Sequence, residues 1–167
     1  MRRSRISGVG GYVPPHLVRN EDLEGPMEIS GDAITRRTGI CQRYWADRDP
    51  RLSTSDLAAA AARAALAHAE VPKEAIGLIL VATLSPDASA PATACFLQEK
   101  LDMPWIQAFD VRGQCSGFLY GLELADLYIR AEKHDHVLLV GAELQSKLLD
   151  MTPRGRKIGR ASCRERV

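Results

Sequence analysis

The sequence has 167 residues, of which 46% are hydrophobic and 26% are charged, and this composition is typical of a globular protein with a buried core. The formal net charge of +1 argues against a nucleic-acid binder of the usual basic kind. The length suits one domain of ordinary size or one half of a larger duplicated fold.

Three further classes of protein fit the sequence poorly. The longest nearly uncharged stretch, residues 76–98, contains Asp87 and two prolines, so it does not predict a membrane-spanning helix of about 20 apolar residues. The N-terminal segment has no apolar core, so we expect no secretory signal. The four cysteines form no C-x-x-C pair and no histidine lies at ligand spacing, which argues against a metal site. Scattered thiols without a signal favour a reducing compartment, and we expect the cytoplasm.

The first half of the chain predicts one strand and three helices. Residues 5–12 form a glycine-rich candidate strand that ends before two prolines. Short helices are predicted over residues 20–23 and 30–36, the second with Ser30 as a cap. An alanine-rich helix over residues 57–70 follows the capping sequence that begins at Ser53, and its small side chains predict burial on more than one side.

The second half alternates between strands and helices. Strands are predicted over residues 76–83, 106–111 and 137–141, and helices over residues 91–101 and 113–133. The apolar runs do not alternate with polar residues, which favours strands that are covered on both faces, as in a parallel sheet. The order of elements therefore predicts an α/β layered fold with right-handed crossovers, a mostly parallel sheet and helices on both faces.

Cys115 lies where a predicted buried strand stops and a long helix begins. A helix N-terminus concentrates unpaired N–H groups and partial positive charge, which favour thiolate over thiol. Gly113 and Gly117 leave room, on this interpretation, for a substrate to approach the sulfur. The alternative is that Cys115 is a small core residue, and position alone does not decide between the two.

Several segments, in order, resemble the N-terminal half of the β-ketoacyl-acyl-carrier-protein synthase III family, the initiating condensing enzymes of fatty-acid synthesis. The resemblance covers residues 5–156, and its most specific part is the segment that contains Cys115. The matching segments are ISGVGGYVPPHLVRNEDL, ITRRTGICQRYWA, STSDLAAAAARAALAHA, IGLILVATLSPDASAPATACFLQEKL, AFDVRGQCSGFLYGLELA and VLLVGAELQSKLLDMTPRGR.

The resemblance implies one half of a thiolase-like layered αβαβα fold and an acyltransferase with Cys115 as its nucleophile. Cys115 would take an acyl group from acyl-CoA, and malonyl-acyl-carrier protein would then lose carbon dioxide and attack the held acyl group. Acyl-CoA is a substrate here, and no cofactor is implied. The family also implies a homodimer of the full-length protein, and it draws a histidine and an asparagine from its C-terminal half to stabilise the developing enolate.

Two arginines fall on positions that bind the CoA nucleotide in the family. Arg37 lies on the R-T-G-I element, and Arg154 lies on the D-x-x-x-R-G pattern. Two positions depart from the family: Ala33 replaces a tryptophan that stacks on adenine, and Ala90 replaces an aromatic residue that closes the partner's acyl pocket. Together these departures predict that the full-length protein accepts primers longer or bulkier than acetyl and need not depend on free CoA as donor.

The other reactive side chains are interpreted as structural or as turn residues. These are Cys41, Cys95, His68, His134, His136 and Asp87.

We expect residues 1–159 to form the thiolase-like half-domain and residues 160–167, RASCRERV, to be a non-native basic tail. A single half would expose an apolar face, so we expect this chain alone not to complete the condensation. Two other functions stay open: another thiolase-fold condensing enzyme, of secondary metabolism, and a noncatalytic truncated chain that serves as an assembly partner.

Overall fold

A computed structural model describes residues 2–46 and 51–148 of the protein. The described residues divide into two units, residues 2–12 with 53–143, and residues 13–46 with 51, 52 and 144–148. The strands are β1 His16–Arg19, β2 Gln42–Trp45, β3 Leu78–Ala82, β4 Gln107–Val111 and β5 Val137–Gly141. The α-helices are α1 Glu24–Met27, α2 Gly31–Thr38, α3 Thr54–Ala69, α4 Thr93–Lys100 and α5 Gly117–Arg130.

The larger unit is built on a parallel sheet with the strand order β4-β3-β5. All five residues of β3 are buried, because helices cover both faces of the sheet. Successive side chains of a strand point to opposite faces. Ile79 and Val81 therefore join the core formed with α3 and α4, whereas Ala82 faces the first turn of α5. The predicted buried strands and the parallel α/β arrangement are confirmed.

Helix α3 has the capping arrangement that its sequence predicts. The main-chain N–H of Ser53 donates to Oδ2 of Asp56 at 2.8 Å, and the ammonium group of Lys100 also bonds to Asp56. The helix ends at Ala69, one residue before its predicted end, and Glu70 takes a left-handed conformation with φ of 53°. The capping side chains thus join the start of α3 to the end of α4.

The alanines of α3 permit close packing on two sides. Ala58, Ala59 and Ala62 lie in the core between α3 and the sheet. On another side Gly10 packs against the main chain of α3 so tightly that a Cβ at Gly10 would overlap Ala65. The predicted burial of this helix on more than one side is therefore confirmed at its middle.

Residues 2–12 do not form the predicted strand. The hydroxyl of Ser4 donates to Oδ1 of Asp126 in α5 at 2.6 Å, and the N–H of Val9 donates to Nδ1 of His68 in α3 at 3.1 Å. A strand requires a main-chain partner, and none of the strands in residues 16–19, 42–45 and 78–141 pairs with this segment. The prediction of a strand over residues 5–12 was wrong, because the sequence pattern of a segment does not show whether another strand pairs with it.

The smaller unit is organised around Asn20, which is 2% exposed. Strands β1 and β2 pair antiparallel, and the side-chain amide of Asn20 donates to Oγ1 of Thr35 and to the main-chain oxygen of Ile40, each at 2.8 Å. Nη2 of Arg43 donates to Oδ1 of Asn20 at 2.7 Å. Arg43 belongs to β2, so these bonds join β2, through Asn20, to Thr35 in α2 and to Ile40 after it.

Helix α2 begins at the predicted cap but ends at Thr38, two residues after the predicted end at residue 36. Ser30 caps its N-terminus, because its hydroxyl oxygen accepts the N–H of Ala33 at 3.3 Å. Gly39 ends the helix with φ of 72°, a left-handed conformation that glycine adopts without steric cost.

Replacing Asp56 by alanine should destabilise the protein by about 1 kcal/mol, because the start of α3 loses its capping carboxylate. Partial burial raises the pKa of Asp56, but hydrogen bonds from Lys100 and Ser53 offset this and hold the pKa below its ordinary value of 3.8. A carboxyl with a lowered folded-state pKa stabilises the fold above its unfolded pKa and loses that contribution as the pH falls through the folded value. Urea unfolding should therefore show a difference between wild type and Asp56→Ala that is constant near neutral pH and shrinks below about pH 4.

The matched control is Glu99→Ala, which removes an exposed carboxylate from α4. It should change the unfolding free energy by less than about 0.5 kcal/mol. Equal effects of the two substitutions, or a difference that grows in acid, would contradict the capping role of Asp56.

Candidate active site

Cys115 lies between β4 and α5 at the carboxyl end of the parallel sheet. A single 3₁₀ turn, Gln114–Ser116, contains it, and α5 begins two residues later at Gly117. The side chain is exposed. Within the part of the chain that the structure describes, the sulfur makes no hydrogen bond. The predicted position at a strand-to-helix turn is confirmed, although the helix begins four residues later than the sequence analysis placed it.

The main chain just before Cys115 has an uncommon conformation. Gln114 has φ of 49°, in the left-handed region that residues other than glycine seldom occupy. The turn is closed by the N–H of Ser116, which donates to the main-chain oxygen of Gly113 at 3.1 Å. Outliers of this kind cluster at sites where the surrounding structure imposes the conformation.

Gly113 and Gly117 lie against other parts of the protein, so they do not open a path for substrate to Cys115. A Cβ at Gly113 would lie 2.6 Å from Cδ2 of Tyr120 and 2.9 Å from Cα of Gly117. Gly117 faces the sheet, where a Cβ would lie 3.4 Å from the main-chain oxygen of Val111 and 3.5 Å from Cβ of Ala82. The prediction that these glycines leave room at the sulfur was wrong, because that space is filled by α5 and the sheet.

Three carboxylates that sequence analysis did not assign to the site fix the loops at this edge of the sheet. Both oxygens of Asp110, in β4, accept main-chain N–H groups at the start of α4, from Thr93 at 2.8 Å and Ala94 at 2.9 Å. Glu143, just after β5, accepts the N–H of Leu84 at 2.7 Å. In the sequence, the acidic Asp110 near the end of the predicted strand 106–111 was the one signal of these contacts.

Asp87 is the third of these carboxylates. It accepts the N–H of Ser55 at 2.9 Å and also the Ser55 hydroxyl, at the start of α3. The sequence predicted only a turn residue here, but Asp87 bonds to a residue 32 positions away in the chain. Asp87 is therefore a long-range contact that holds the loop after β3 to α3.

The structure describes two other cysteines, Cys41 and Cys95, and shows contacts of His68 and His134 away from Cys115. Cys95 is half-buried in α4, and Cys41 is exposed in the loop after α2. His68 bonds to the N-terminal segment, and the ring of His134 stacks on Tyr128 with centroids 5.6 Å apart. In residues 2–46 and 51–148, no group of three or more histidine, cysteine or acidic side chains could hold a metal ion.

The two predicted nucleotide-binding arginines have different outcomes. Arg37 is exposed near the end of α2, in the smaller unit. Arg154 lies outside the described residues, as does Cys163. No helix in the described part of the chain is long and apolar enough to cross a membrane.

The Cys115 segment matches the model of a known protein family. The model of the family described as 3-oxoacyl-[acyl-carrier-protein] synthase III matches residues 109–160. The chain is 44% identical over 154 residues to β-ketoacyl-[acyl-carrier-protein] synthase III of Ehrlichia chaffeensis, which covers 92% of this chain and 48% of the relative. The chain thus spans about half the length of the curated relatives that it matches.

Solved structures that superpose on the chain show which fold it has. The crystal structure of 3-oxoacyl-[acyl-carrier-protein] synthase III from Aquifex aeolicus superposes with a TM-score of 0.85 at 38% identity, covering 92% of this chain and 48% of that one. The priming β-ketosynthase of the R1128 polyketide pathway superposes with a TM-score of 0.86 at 30% identity, covering 92% and 46%. The chain therefore has the α/β layered fold of one half of these thiolase-like proteins, as the sequence predicted.

Gly113→Ala should destabilise the protein by about 1–3 kcal/mol, because the added methyl group overlaps Tyr120 and the main chain at Gly117. Gly117→Ala is the matched control: its Cβ would make ordinary van der Waals contacts, and alanine favours helix, so its stability should be unchanged or higher. Urea unfolding measures both changes. A stable Gly113→Ala variant, or equal destabilisation by both, would contradict the packing described for this turn.

Proposed function

Because the chain is, in sequence and in fold, a relative of the N-terminal half of the β-ketoacyl-[acyl-carrier-protein] synthases III, we propose that it supplies the nucleophile of an acyltransferase that initiates fatty-acid synthesis. The observation that carries this proposal is the exposed Cys115, at a strand-to-helix turn inside the segment that matches the family model. The acyl group is held on its sulfur as a thioester.

The first reaction step is an acyl transfer to Cys115. The thiolate attacks the thioester carbonyl of acyl-CoA, a new carbon–sulfur bond forms, and CoA leaves as its thiolate, which takes up a proton. The turn before α5 supports this step, because it places the exposed sulfur at the carboxyl edge of the sheet. The exposed position of the side chain allows the thioester to approach.

The second step is condensation with malonyl-acyl-carrier protein. Loss of carbon dioxide leaves a carbanion that attacks the Cys115 thioester, and hydrogen-bond donors must stabilise the enolate oxygen that develops. The sulfur has no polar partner among the described residues. In the family that the chain resembles, a histidine and an asparagine from the C-terminal half supply these donors. We therefore propose that residues 1–159 alone perform the acyl transfer and not the condensation.

The exposed side of α5 supports this division of labour. Four large apolar side chains are between 44% and 64% exposed there: Phe118, Leu119, Tyr120 and Leu127. These exposed side chains support the expected apolar face. In the family two similar halves pack face to face, and we propose that this face of α5 belongs to that junction.

We assign substrate recognition to the exposed arginine of α2 and to the loop after β3. Arg37 would bind phosphate of the CoA nucleotide, and Arg154 is proposed as its second partner from the resemblance alone. Ala90 is exposed in the loop before α4, and its small side chain would leave space for primers longer than acetyl. The full-length protein would act as a homodimer in the cytoplasm.

A condensing enzyme of secondary metabolism is the second candidate. The superposition with a priming β-ketosynthase of a polyketide pathway supports it as an alternative, since that fold match is as good as the match to a 3-oxoacyl-[acyl-carrier-protein] synthase III. The two functions share the acylated cysteine and differ in acyl donor and acceptor. A screen of donors and carrier proteins with the full-length protein separates them, and a sharp preference for acetyl-CoA would reject the proposed acceptance of longer primers.

Incubation with acyl-CoA should add one acyl mass to the chain, and peptide mass spectrometry should locate it on Cys115. Cys115→Ser should lose at least about 100-fold in acylation rate, because the hydroxyl group is a far weaker nucleophile than a thiolate. Cys95→Ser, which changes a half-buried thiol in α4, is the matched control and should retain the adduct.

An adduct on Cys41, or equal slow labelling of several thiols, would contradict the proposed role of Cys115. Absence of any adduct would favour the third reading, a noncatalytic assembly partner.

A further inference from the structure

The loop between β3 and α4 is fastened at its first residues by Glu143. The N–H of Leu84 donates to Oε1 of Glu143 at 2.7 Å, and the hydroxyl of Ser85 donates to Oε2 at 2.7 Å. The two oxygens of the Glu143 carboxylate therefore accept hydrogen bonds from two consecutive residues of the loop. Charge-assisted hydrogen bonds of this length are among the stronger ones in proteins.

The middle of the same loop is fixed by Asp87. Asp87 bonds to Ser55 at the start of α3, and its own N–H donates to Oγ1 of Thr93 at 3.3 Å. Thr93 is fully buried and is in turn held by Asp110 of β4. At the beginning of the loop, the hydroxyl of Thr54 in α3 also donates to the main-chain oxygen of Ser85. Glu143 is the side chain that accepts the N–H of Leu84 there.

The beginning of this loop and the Cys115 turn follow adjacent parallel strands at the same edge of the sheet. Strands β3 and β4 are adjacent and parallel, with Ala82 opposite Val111 at their carboxyl ends. Adjacent strands lie about 4.8 Å apart, so the first loop residues after Ala82 lie beside the residues that lead from Val111 to Cys115. The 3.5 Å approach between Ala82 and the site of a Cβ on Gly117 places the end of β3 against the start of α5.

Leu84 is the large apolar side chain at this edge, and it is 40% exposed although it follows a strand whose five residues are buried. A branched apolar side chain next to an acylated thiol would contact the acyl chain and would limit its length or branching.

We infer that Leu84 is a specificity-determining residue for the acyl group on Cys115, and that Glu143 is its positioning residue. This inference rests on the proposed acyl transfer to Cys115. Glu143 does not touch the acyl group; it acts through the main chain of Leu84, whose N–H it accepts. The ligand class is the apolar tail of an acyl thioester, and the two residues decide which tails fit beside the sulfur.

The first test compares acylation of Cys115 by acetyl-CoA, isobutyryl-CoA and octanoyl-CoA, with single-turnover rates measured by mass spectrometry. Leu84→Ala should raise the octanoyl-to-acetyl rate ratio by at least about fivefold, since a pocket gains room when a side chain is shortened. Glu143→Ala should change the same ratio by at least about threefold, because Leu84 loses its anchor. Glu143→Gln keeps an oxygen that can accept the Leu84 N–H, and it should restore the wild-type ratio.

The control is Glu123→Ala, which removes an exposed carboxylate from α5 and should leave the ratio unchanged. A purely structural role of Glu143 would slow all three donors by the same factor and would leave the ratio intact. An unchanged ratio in Leu84→Ala, or in Glu143→Ala, would overturn the inference.

Hydrogen exchange separates failure of this inference from failure of the proposed function. The Leu84 amide should be protected in the wild-type chain and at least about tenfold less protected in Glu143→Ala, with no change in Glu123→Ala. If wild type forms no Cys115 adduct with any donor, the proposed function fails, and the specificity role of Leu84 and Glu143 falls with it. If Cys115 is acylated but the Leu84 amide is unprotected in wild type, only the positioning role of Glu143 is overturned.

Discussion

The close approach of α5 to the parallel sheet is the constraint on which the larger unit depends. Gly117 lies against Ala82 and Val111, and one turn further along the helix a Cβ at Gly121 would lie 2.5 Å from Cδ1 of Leu139. A Cβ at Gly117 would make only ordinary van der Waals contacts, so the close approach depends on Gly121, which brings α5 against β5. The turn that contains Cys115 directly precedes this helix, and the Cys115 side chain is exposed at the carboxyl edge of the sheet.

Carboxylates from one element fix the beginnings of others at that edge. Asp110 reaches from β4 to the start of α4, and Asp87 reaches from the loop after β3 to the start of α3. Helix N-termini leave main-chain N–H groups without partners, so an acidic side chain there both satisfies donors and meets the positive end of the helix dipole. The N-terminus of α5 differs from these two, since Cys115 occupies the turn before it and no such carboxylate bonds to that turn within the described residues.

The sequence predicts most of the sheet and the helices, because burial leaves a local pattern. The continuous apolar run of β3 and the alanines of α3 reflect contacts on both sides, and Ser30 and Ser53 mark helix starts by local hydrogen bonds. The strand expected at residues 5–12 was wrong because pairing is a tertiary property. The bonds of Asp87 and Glu143 join residues 32 and 59 positions apart, and no local pattern encodes such partners.

The central claim is that the fold makes Cys115 a better nucleophile than an ordinary cysteine. Its most direct test is the rate of alkylation of Cys115 by iodoacetamide at neutral pH, compared between the folded chain and the chain unfolded in guanidinium chloride. Since the side chain is exposed in the folded protein, access to the reagent does not limit the comparison. The account predicts that the folded chain reacts faster, by about tenfold or more. An equal or slower rate in the folded chain would contradict it.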